Sequence, residues 1–320
     1  MKFKPLGSSG IEISSIVMGT WQAGKTMWTG IDDDDTKKAM RAAFDAGITT
    51  FDTATVYGDG HSKRILGEAL KDIREQVVIA TKVFANRLDH DGVITSCEQS
   101  LKDLGTDVID LYQIHWPAGS FGTKKVPIEE TMAALNGLKD QGKIRSIGVS
   151  NFSRRQLEEA RQHGPIDSLQ PPYSLFWRHV EKDLLPYCIE NGITVLAYSP
   201  LAQGFLTGKF GPDHRFEEGD HRSKNRLFKP QHYPRIQEAL ARLRPIADRN
   251  GLSLAQLALA WVTSHEGTCA IAGARNASQS RDNAAAGDAV LSTDDLDEMD
   301  HIGRRVTDHI NIENAVMWEF

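Results

Sequence analysis

Short apolar runs separated by longer amphipathic stretches recur along most of this chain. The runs predict strands over 15–19, 49–53, 77–82, 109–115, 146–149, 168–170, 194–198 and 268–271. Between them DTKKAMRAAFDAG, SKRILGEALKD, TSCEQSLKDLG, IEETMAALNGLKDQG, SRRQLEEARQHG and EKDLLPYCIENG carry helical periodicity, and most end on glycine, which accepts the left-handed turn that closes a helix. Strands alternating with helices of this length imply parallel βαβ units. Eight such units in 320 residues predict one domain, residues 1–320, folded as a closed (β/α)8 TIM barrel. The rival architecture, a doubly wound open sheet, carries G-x-G-x-x-G after its first strand, and that fingerprint is missing.

Three departures from the repeat refine the picture. The opening KFKPLGSSGIEIS alternates around a glycine-rich turn and predicts a β-hairpin over the closed bottom of the barrel. Residues 201–234 form a long irregular connection after the seventh strand; a connection of that length suggests a lid over cofactor or substrate. PRIQEALARLRPIADRNG and LSLAQLALAWVTSHEG add helices before the eighth strand, and LSTDDLDEMDHIG adds one after it. The acidic run at Asp32, Asp33, Asp34 and Asp35 precedes a helix, where carboxylates complement the positive end of the dipole, so it reads as capping rather than a cation site. Ser292 and Asp295 repeat that capping pattern.

Composition narrows the function. Hydrophobic content of 40%, 25% charged residues and a formal charge of -6 without a Lys/Arg block fit a globular chain whose ligands are small molecules, not nucleic acid or an anionic membrane. Cys97, Cys188 and Cys269 form no C-x-x-C pair, which indicates reduced thiols. MKFKPLGSSG lacks the apolar core of a signal peptide, and no run approaches the ~20 apolar residues of a membrane span. A cytoplasmic protein is expected.

The candidate chemistry lies near the C-terminal ends of three successive strands, in FDTATVYG, VVIATKV and DLYQIHWP, which supply Asp52, Tyr57, Lys82 and His115. In a barrel those ends converge on one face. A phenol alone titrates near ~10, but a neighbouring lysine stabilises its phenolate, and a carboxylate keeps that lysine charged. Tyr57 is then the proton donor, Lys82 and Asp52 its support, and His115 a group that orients and polarises a carbonyl. Other readings stand beside this one: Asp52 and Lys82 as a structural ion pair, Lys82 as a Schiff-base lysine, and His115 as a metal ligand. No second His or Cys lies at ligand spacing, so no metal is expected. Trp21, Trp28, Phe84, Trp116 and Phe121, at or just beyond the same strand ends, are candidates for an aromatic substrate pocket.

The motifs together resemble the aldo-keto reductase superfamily over residues 6–286: MGTW at 18–21, FDTATVYGDGHSKRILGEAL at 51–70, ATKV at 80–83, DLYQIHWP at 110–117, GKIRSIGVSNF at 142–152, QPPYSLF at 170–176, AYSPLAQGFLTGKF at 197–210 and GARNASQSRDN at 273–283. The resemblance places the family's catalytic tetrad on Asp52, Tyr57, Lys82 and His115, and implies a nicotinamide cofactor lying extended across the barrel mouth. It implies that Gly19, Thr20 and Trp21, beside Asp52, line the nicotinamide end, that Ser150, Asn151 and Gln170 bind its carboxamide, and that Tyr198 stacks on its ring. Ser199, Leu201, Gly204 and Leu206 match the loop over the pyrophosphate, with Lys209 neutralising charge. Gly273, Arg275, Gln279 and Asn283 match the adenosine end.

A guanidinium at 275 can grip a 2′-phosphate, so NADP(H) is expected over NAD(H); the competing view makes Arg275 a solvated residue at a helix start. The implied activity is hydride transfer between the cofactor and an aldehyde, ketone or sugar. A regulatory cofactor sensor with little turnover and a sugar or polyol dehydrogenase working oxidatively remain as alternatives. The loop over 211–234, the C-terminal tail and the oligomeric state are not readable from the sequence.

Overall fold

The computed structural model describes residues 1–308, except 27, 29, 212, 218 and 219, and only the backbone of 221. An antiparallel hairpin, β1 (Phe3–Pro5) and β2 (Glu12–Ser14), precedes the barrel. The barrel strands are β3 (Ile16–Gly19), β4 (Thr50–Asp52), β5 (Val78–Val83), β6 (Ile109–Ile114), β7 (Ile144–Ser150), β8 (Ser168–Gln170), β9 (Thr194–Tyr198) and β10 (Thr268–Gly273). All pair in parallel, in chain order, and β10 closes on β3. The predicted TIM barrel and all eight predicted strands are therefore present.

Six helices follow the first six barrel strands: α1 (Asp33–Asp45), α2 (His61–Leu70), α3 (His90–Leu104), α4 (Ile128–Asp140), α5 (Arg154–Arg161) and α6 (Leu184–Glu190). Local chemistry sets their ends. The Asp32 side chain accepts from the Asp35 amide at the start of α1, the capping role read from the acidic run. Gly105 closes α3 in the left-handed region at φ 63°. After β9 come α7 (Tyr233–Arg249) and α8 (Leu254–Ser264), and after β10 come α9 (Ala277–Ala285) and α10 (Thr293–Thr307).

One glycine expected to end a helix does not. Helix α10 runs through Gly303 because that residue packs against the chain rather than turning it: a Cβ there would lie 2.7 Å from the Leu175 carbonyl oxygen. The helix is also tied down by Asp300, which accepts from Trp261 Nε1 at 2.9 Å and pairs with Arg178 at 3.1 Å. The start of the tail is thus helical, while residues 309–320 lie outside the described residues. Among its described residues, the connection over 201–234 has short helical turns at Ala202–Thr207, His221–Lys224, Arg226–Phe228 and Pro230–His232, gathered on an aromatic cluster. Phe205 and Phe228 stack at 3.9 Å, with Phe210, Phe216 and Tyr233 around them.

Two apolar clusters hold the fold. The larger fills the shell between strands and helices. The smaller occupies the lower barrel, where Leu6, Ile11 and Ile13 from the hairpin meet Val17, Ala80, Leu111, Leu196, Cys269 and Ile271 from the strands. The hairpin is a plug, as its alternation predicted. Lys4 Nζ fastens it by donating to the carbonyls of Thr263 (2.7 Å), His265 (3.0 Å) and Thr268 (2.7 Å), and the Gly7 amide donates to Thr194 Oγ1 at 2.8 Å. No helix among the described residues is long and apolar enough to cross a membrane.

If the plug is part of the core, Ile13→Ala should cost about 2–4 kcal/mol of unfolding free energy, as removal of a buried branched side chain does. Phe3→Ala, at the exposed edge of the same hairpin, should stay within about 0.5 kcal/mol. Urea unfolding of both variants checks this; equal effects would mean the hairpin packs loosely.

Candidate active site

The upper barrel is polar where the lower barrel is apolar. Lys82, Gln113, Gly148 and Ser168 are neighbours in register across β5, β6, β7 and β8, so their side-chain positions share the inward face at one level. Lys82 is fully buried and Asp52 is 3% exposed. Lys82 Nζ donates to Asp52 Oδ1 at 2.6 Å and to the Thr53 carbonyl at 2.9 Å. The other carboxylate oxygen accepts from Gln170 Nε2 at 2.9 Å and, at longer range, from Gln113 Nε2 at 3.4 Å.

Tyr57 stands on the turn after β4, with Lys82 Nζ 5.4 Å from its ring centroid and the His115 ring edge-on at 6.1 Å. Backbone contact fixes that turn. A Cβ on Gly24 would fall 2.5 Å from the Tyr57 carbonyl carbon, and one on Gly58 would fall 2.2 Å from the Gly24 oxygen, so two loops meet main chain to main chain beside the tyrosine. Thr20 and Thr53 share Ser62 Oγ at 2.7 and 3.1 Å and join the two loops again from below. The structure thus brings Asp52, Tyr57, Lys82 and His115 into one group.

Electrostatics corrects one expectation. Burial pushes the Tyr57 hydroxyl well above its ordinary range, and the charges of Asp52 and Tyr198 push the same way. The phenol is a held proton, not a partly formed phenolate; at this distance the lysine does not offset its removal from water. Burial also lowers Lys82, against the opposing attraction and hydrogen bond of Asp52. His115 is driven well below the usual imidazole range by burial and then by the Lys82 charge, so it is neutral near pH 7. Its Nδ1 is buried without a hydrogen-bond partner among the described residues.

The residues expected around a cofactor surround this group. Gly19 pairs with both Asp52 and Gly273 across the sheet, and Thr20 Oγ1 donates to the Asp52 carbonyl at 3.0 Å. The Ser150 hydroxyl donates to the Gln170 carbonyl at 2.8 Å. Asn151, strained at φ 61°, donates to the His115 carbonyl at 3.1 Å and accepts from the Tyr198 hydroxyl at 2.9 Å. Ser199 is likewise left-handed at φ 54°. In the following turn the amides of Gly204 and Leu206 both donate to the Leu201 carbonyl, at 2.9 and 3.2 Å, and the Leu206 side chain is buried. Those two amides hold the loop's own shape.

Beyond β10, Gln279 Oε1 accepts from the Arg275 amide at 2.8 Å, and Asn283 Nδ2 donates to the Gly273 carbonyl at 3.2 Å. Arg275 is half-buried and, like Lys209, is shifted down by burial and by its cationic neighbours, Arg222 among them; only Asp220 opposes them among the described residues. Lys209, Arg222 and Arg275 thus gather three cations around Asp220, which among the described residues is the carboxylate that pairs with Arg222 through both its oxygens. Phosphate groups are the chemistry that fits this cluster.

The five aromatics expected at a substrate pocket gather on either side of Tyr57 and His115. Trp28 meets Trp21 edge-on at 5.4 Å, and Trp21 stacks on Tyr57 at 6.3 Å. On the other side of His115, Phe84 lies at 5.7 Å, stacks on Phe121 at 5.8 Å, and Phe121 meets Trp116 at 5.0 Å. Phe121 is 52% exposed and left-handed at φ 56°. Trp28 reaches further than expected, since Arg222 and Arg275 lie over its ring at 5.4 and 5.0 Å and link the aromatic wall to the cationic trio.

Two residues escaped the sequence reading. Gln113 shares the parity of His115 two positions on, a signal that was available in DLYQIHWP. Arg222 sits in GDHRSKN, which has no periodicity to mark it.

Comparison with known proteins agrees with this architecture. A family model described as "Aldo/keto reductase family" matches residues 15–304. The chain is 41% identical over 294 residues to Aldo-keto reductase YhdN of Bacillus subtilis (strain 168), covering 87% of this chain and 86% of that protein. It is 35% identical over 317 residues to the NADH-specific methylglyoxal reductase of Escherichia coli (strain K12), covering 92% and 96%. Among solved structures, the glycerol dehydrogenase AKR11B4 from Gluconobacter oxydans superposes with a TM-score of 0.88 at 33% identity over 98% of each chain. An aldo-keto reductase from Klebsiella pneumoniae in complex with NADPH gives 0.76 at 30% identity over 100% of each.

The depressed His115 makes a signed prediction. Below the free-imidazole value of 6.5 the unfolded chain gains a proton at this position that the folded protein does not, so stability falls as pH falls. The slope for one such group is at most ~1.4 kcal/mol per pH unit. Replacing the imidazole in His115→Gln should remove that share, so unfolding free energies of wild type and variant should diverge between about pH 6.5 and pH 5. Parallel curves would show that His115 protonates freely in the fold.

Proposed function

The chain belongs to the aldo/keto reductase family, and from that premise we propose that it is an NADP(H)-dependent oxidoreductase acting on the carbonyl of an aldehyde, ketone or sugar. The observation that carries the reading is the meeting of a partly exposed phenol, a buried Lys–Asp pair and a neutral imidazole beside an aromatic wall. A bound nicotinamide would supply or accept the hydride. All else falls to the protein.

In reduction, a carbonyl oxygen between Tyr57 and His115 takes a hydrogen bond from each, which polarises the C=O bond and orients the carbon. Tyr57 then gives its proton to that oxygen as negative charge develops. The raised affinity of Tyr57 for its proton holds the proton until that moment, and Lys82, kept charged by Asp52, attracts the phenolate that is left. Oxidation reverses the transfer, with Tyr57 as general base. Ser150, Asn151 and Gln170 are suited to a carboxamide, Tyr198 to the face of a ring, and Lys209, Arg222 and Arg275 to phosphates.

The preference for NADP(H) rests on that last trio, because among the described residues its three cations meet one carboxylate, Asp220, and a 2′-phosphate adds negative charge beside them. The NADH-specific relative shows that cofactor choice varies among similar proteins, so the trio is where the choice should be read. A second reading, oxidation of a polyol, draws on the likeness to a glycerol dehydrogenase. It uses the same groups in the reverse direction.

NADPH oxidation against a panel of aldehydes, ketones and sugars tests the reading, with Tyr57→Phe alongside. The variant should bind NADPH normally and lose ~10²- to 10⁴-fold or more in turnover; near-normal turnover would remove Tyr57 from its role. Arg275→Met should weaken NADPH about tenfold or more, the worth of a charge-assisted contact, and leave NADH within about twofold. Equal losses for both cofactors would dissolve the phosphate clamp.

A further inference from the structure

Asp52 faces two ways. One oxygen accepts from Lys82; the other, Oδ2, accepts from Gln170 Nε2 at 2.9 Å and from Gln113 Nε2 at 3.4 Å. An ionised carboxylate has no proton to give, so both amides must turn their nitrogens toward it. The carbonyl oxygen of Gln113 then lies toward Gln170, 3.5 Å from its nitrogen, and Ser168 Oγ stands 3.5 Å from that same oxygen. Gln170 thus has two acceptors at its nitrogen end and no described donor at its oxygen. Its main chain is held as well, because its carbonyl accepts from Ser150 Oγ at 2.8 Å and from the Asn151 amide at 3.2 Å. The amide cannot flip without setting its oxygen against a carboxylate.

Space for this network is built into the barrel. Gly148 lies in register with Gln113 on one side and Ser168 on the other. A Cβ there would fall 2.2 Å from Ser168 Oγ and 2.9 Å from Gln113 Cγ. A side chain at 148 would push both out of place.

We propose that Asp52 has a second role besides pairing with Lys82: its Oδ2, backed by Gln113, locks the Gln170 amide with its oxygen outward, so that the site selects a ligand group that donates N–H. Asp52 is in this respect a positioning residue acting through Gln170. The proposal rests on the nicotinamide reading above and deepens it. A ring bearing a primary carboxamide has the N–H to give, whereas a methyl ketone in its place keeps the carbonyl oxygen but sets a methyl group where the N–H stood, leaving the Gln170 oxygen without a donor. A site built around such a donor rejects the analogue that lacks it.

Equilibrium binding tests this without turnover. Dissociation constants for NADP⁺, its 3-acetylpyridine analogue and 2′,5′-ADP would be measured by fluorescence titration on wild type and Asp52→Asn. In wild type the carboxamide ligand should bind about tenfold or more better than the acetyl analogue. In Asp52→Asn, where either end of the Gln170 amide can face residue 52, the ratio should fall toward one. The 2′,5′-ADP constant should stay within about twofold, because that ligand lacks the ring. An unchanged ratio in the variant overturns the lock.

If Asp52→Asn leaves Lys82 too poorly compensated to fold, the double variant Asp52→Asn, Lys82→Met removes both charges and is read in the same way. Should wild type bind 2′,5′-ADP but gain nothing from a nicotinamide on the ligand, the nicotinamide reading itself fails, an outcome distinct from an unchanged ratio.

Discussion

A lysine and an aspartate, both removed from water and 2.6 Å apart, are the interaction on which the upper half of this barrel depends. Neither charge is tolerable there alone, since an isolated ion in such surroundings costs several kcal/mol even after relaxation. Paired, they fix each other, and the leftover oxygen of the carboxylate organises two glutamines. The lysine also places a positive charge beneath a tyrosine ring and beside an imidazole that burial keeps neutral. Polar order in this region radiates from that one contact.

The barrel accommodates the pair by dividing its interior. Below, the hairpin's Leu6, Ile11 and Ile13 seal the strands with apolar side chains; above, lysine, glutamine and serine occupy the inward positions. Strand alternation allows this, because the inward positions of one strand can be apolar at one level and polar two residues later. Leu111 and Gln113 on β6 are such a pair. The lower layer supplies rigidity and the upper layer spends it on holding charged groups where water would otherwise screen them.

How much of this was legible depended on how local each signal was. The strands, the plug and the meeting of Asp52, Tyr57, Lys82 and His115 at one end of the barrel could be read because period, parity and residue type coincide within a few residues. The end of α10 was misjudged because Gly303 is small to let Leu175 approach, a tertiary reason indistinguishable in sequence from a helix stop. The connection over 201–234 looked irregular because its order comes from Phe205, Phe210, Phe216 and Phe228 meeting in space without regular spacing. The direction of the Tyr57 shift was read wrongly for a related reason: proximity to a lysine was legible, whereas depth of burial belongs to the folded chain.

The contact between Gly24 and Gly58 has a consequence for how such a protein diversifies. Because main-chain contact sets the position of Tyr57, its hydroxyl is insulated from drift in the residues around it. Trp28 and Phe121 lie on separate loops and can be exchanged for other shapes without dragging Tyr57 along. The place of the phenol and the shape of the aromatic wall are thereby decoupled within a few ångströms, and lineages sharing this lock can reshape the wall while keeping the phenol where it is.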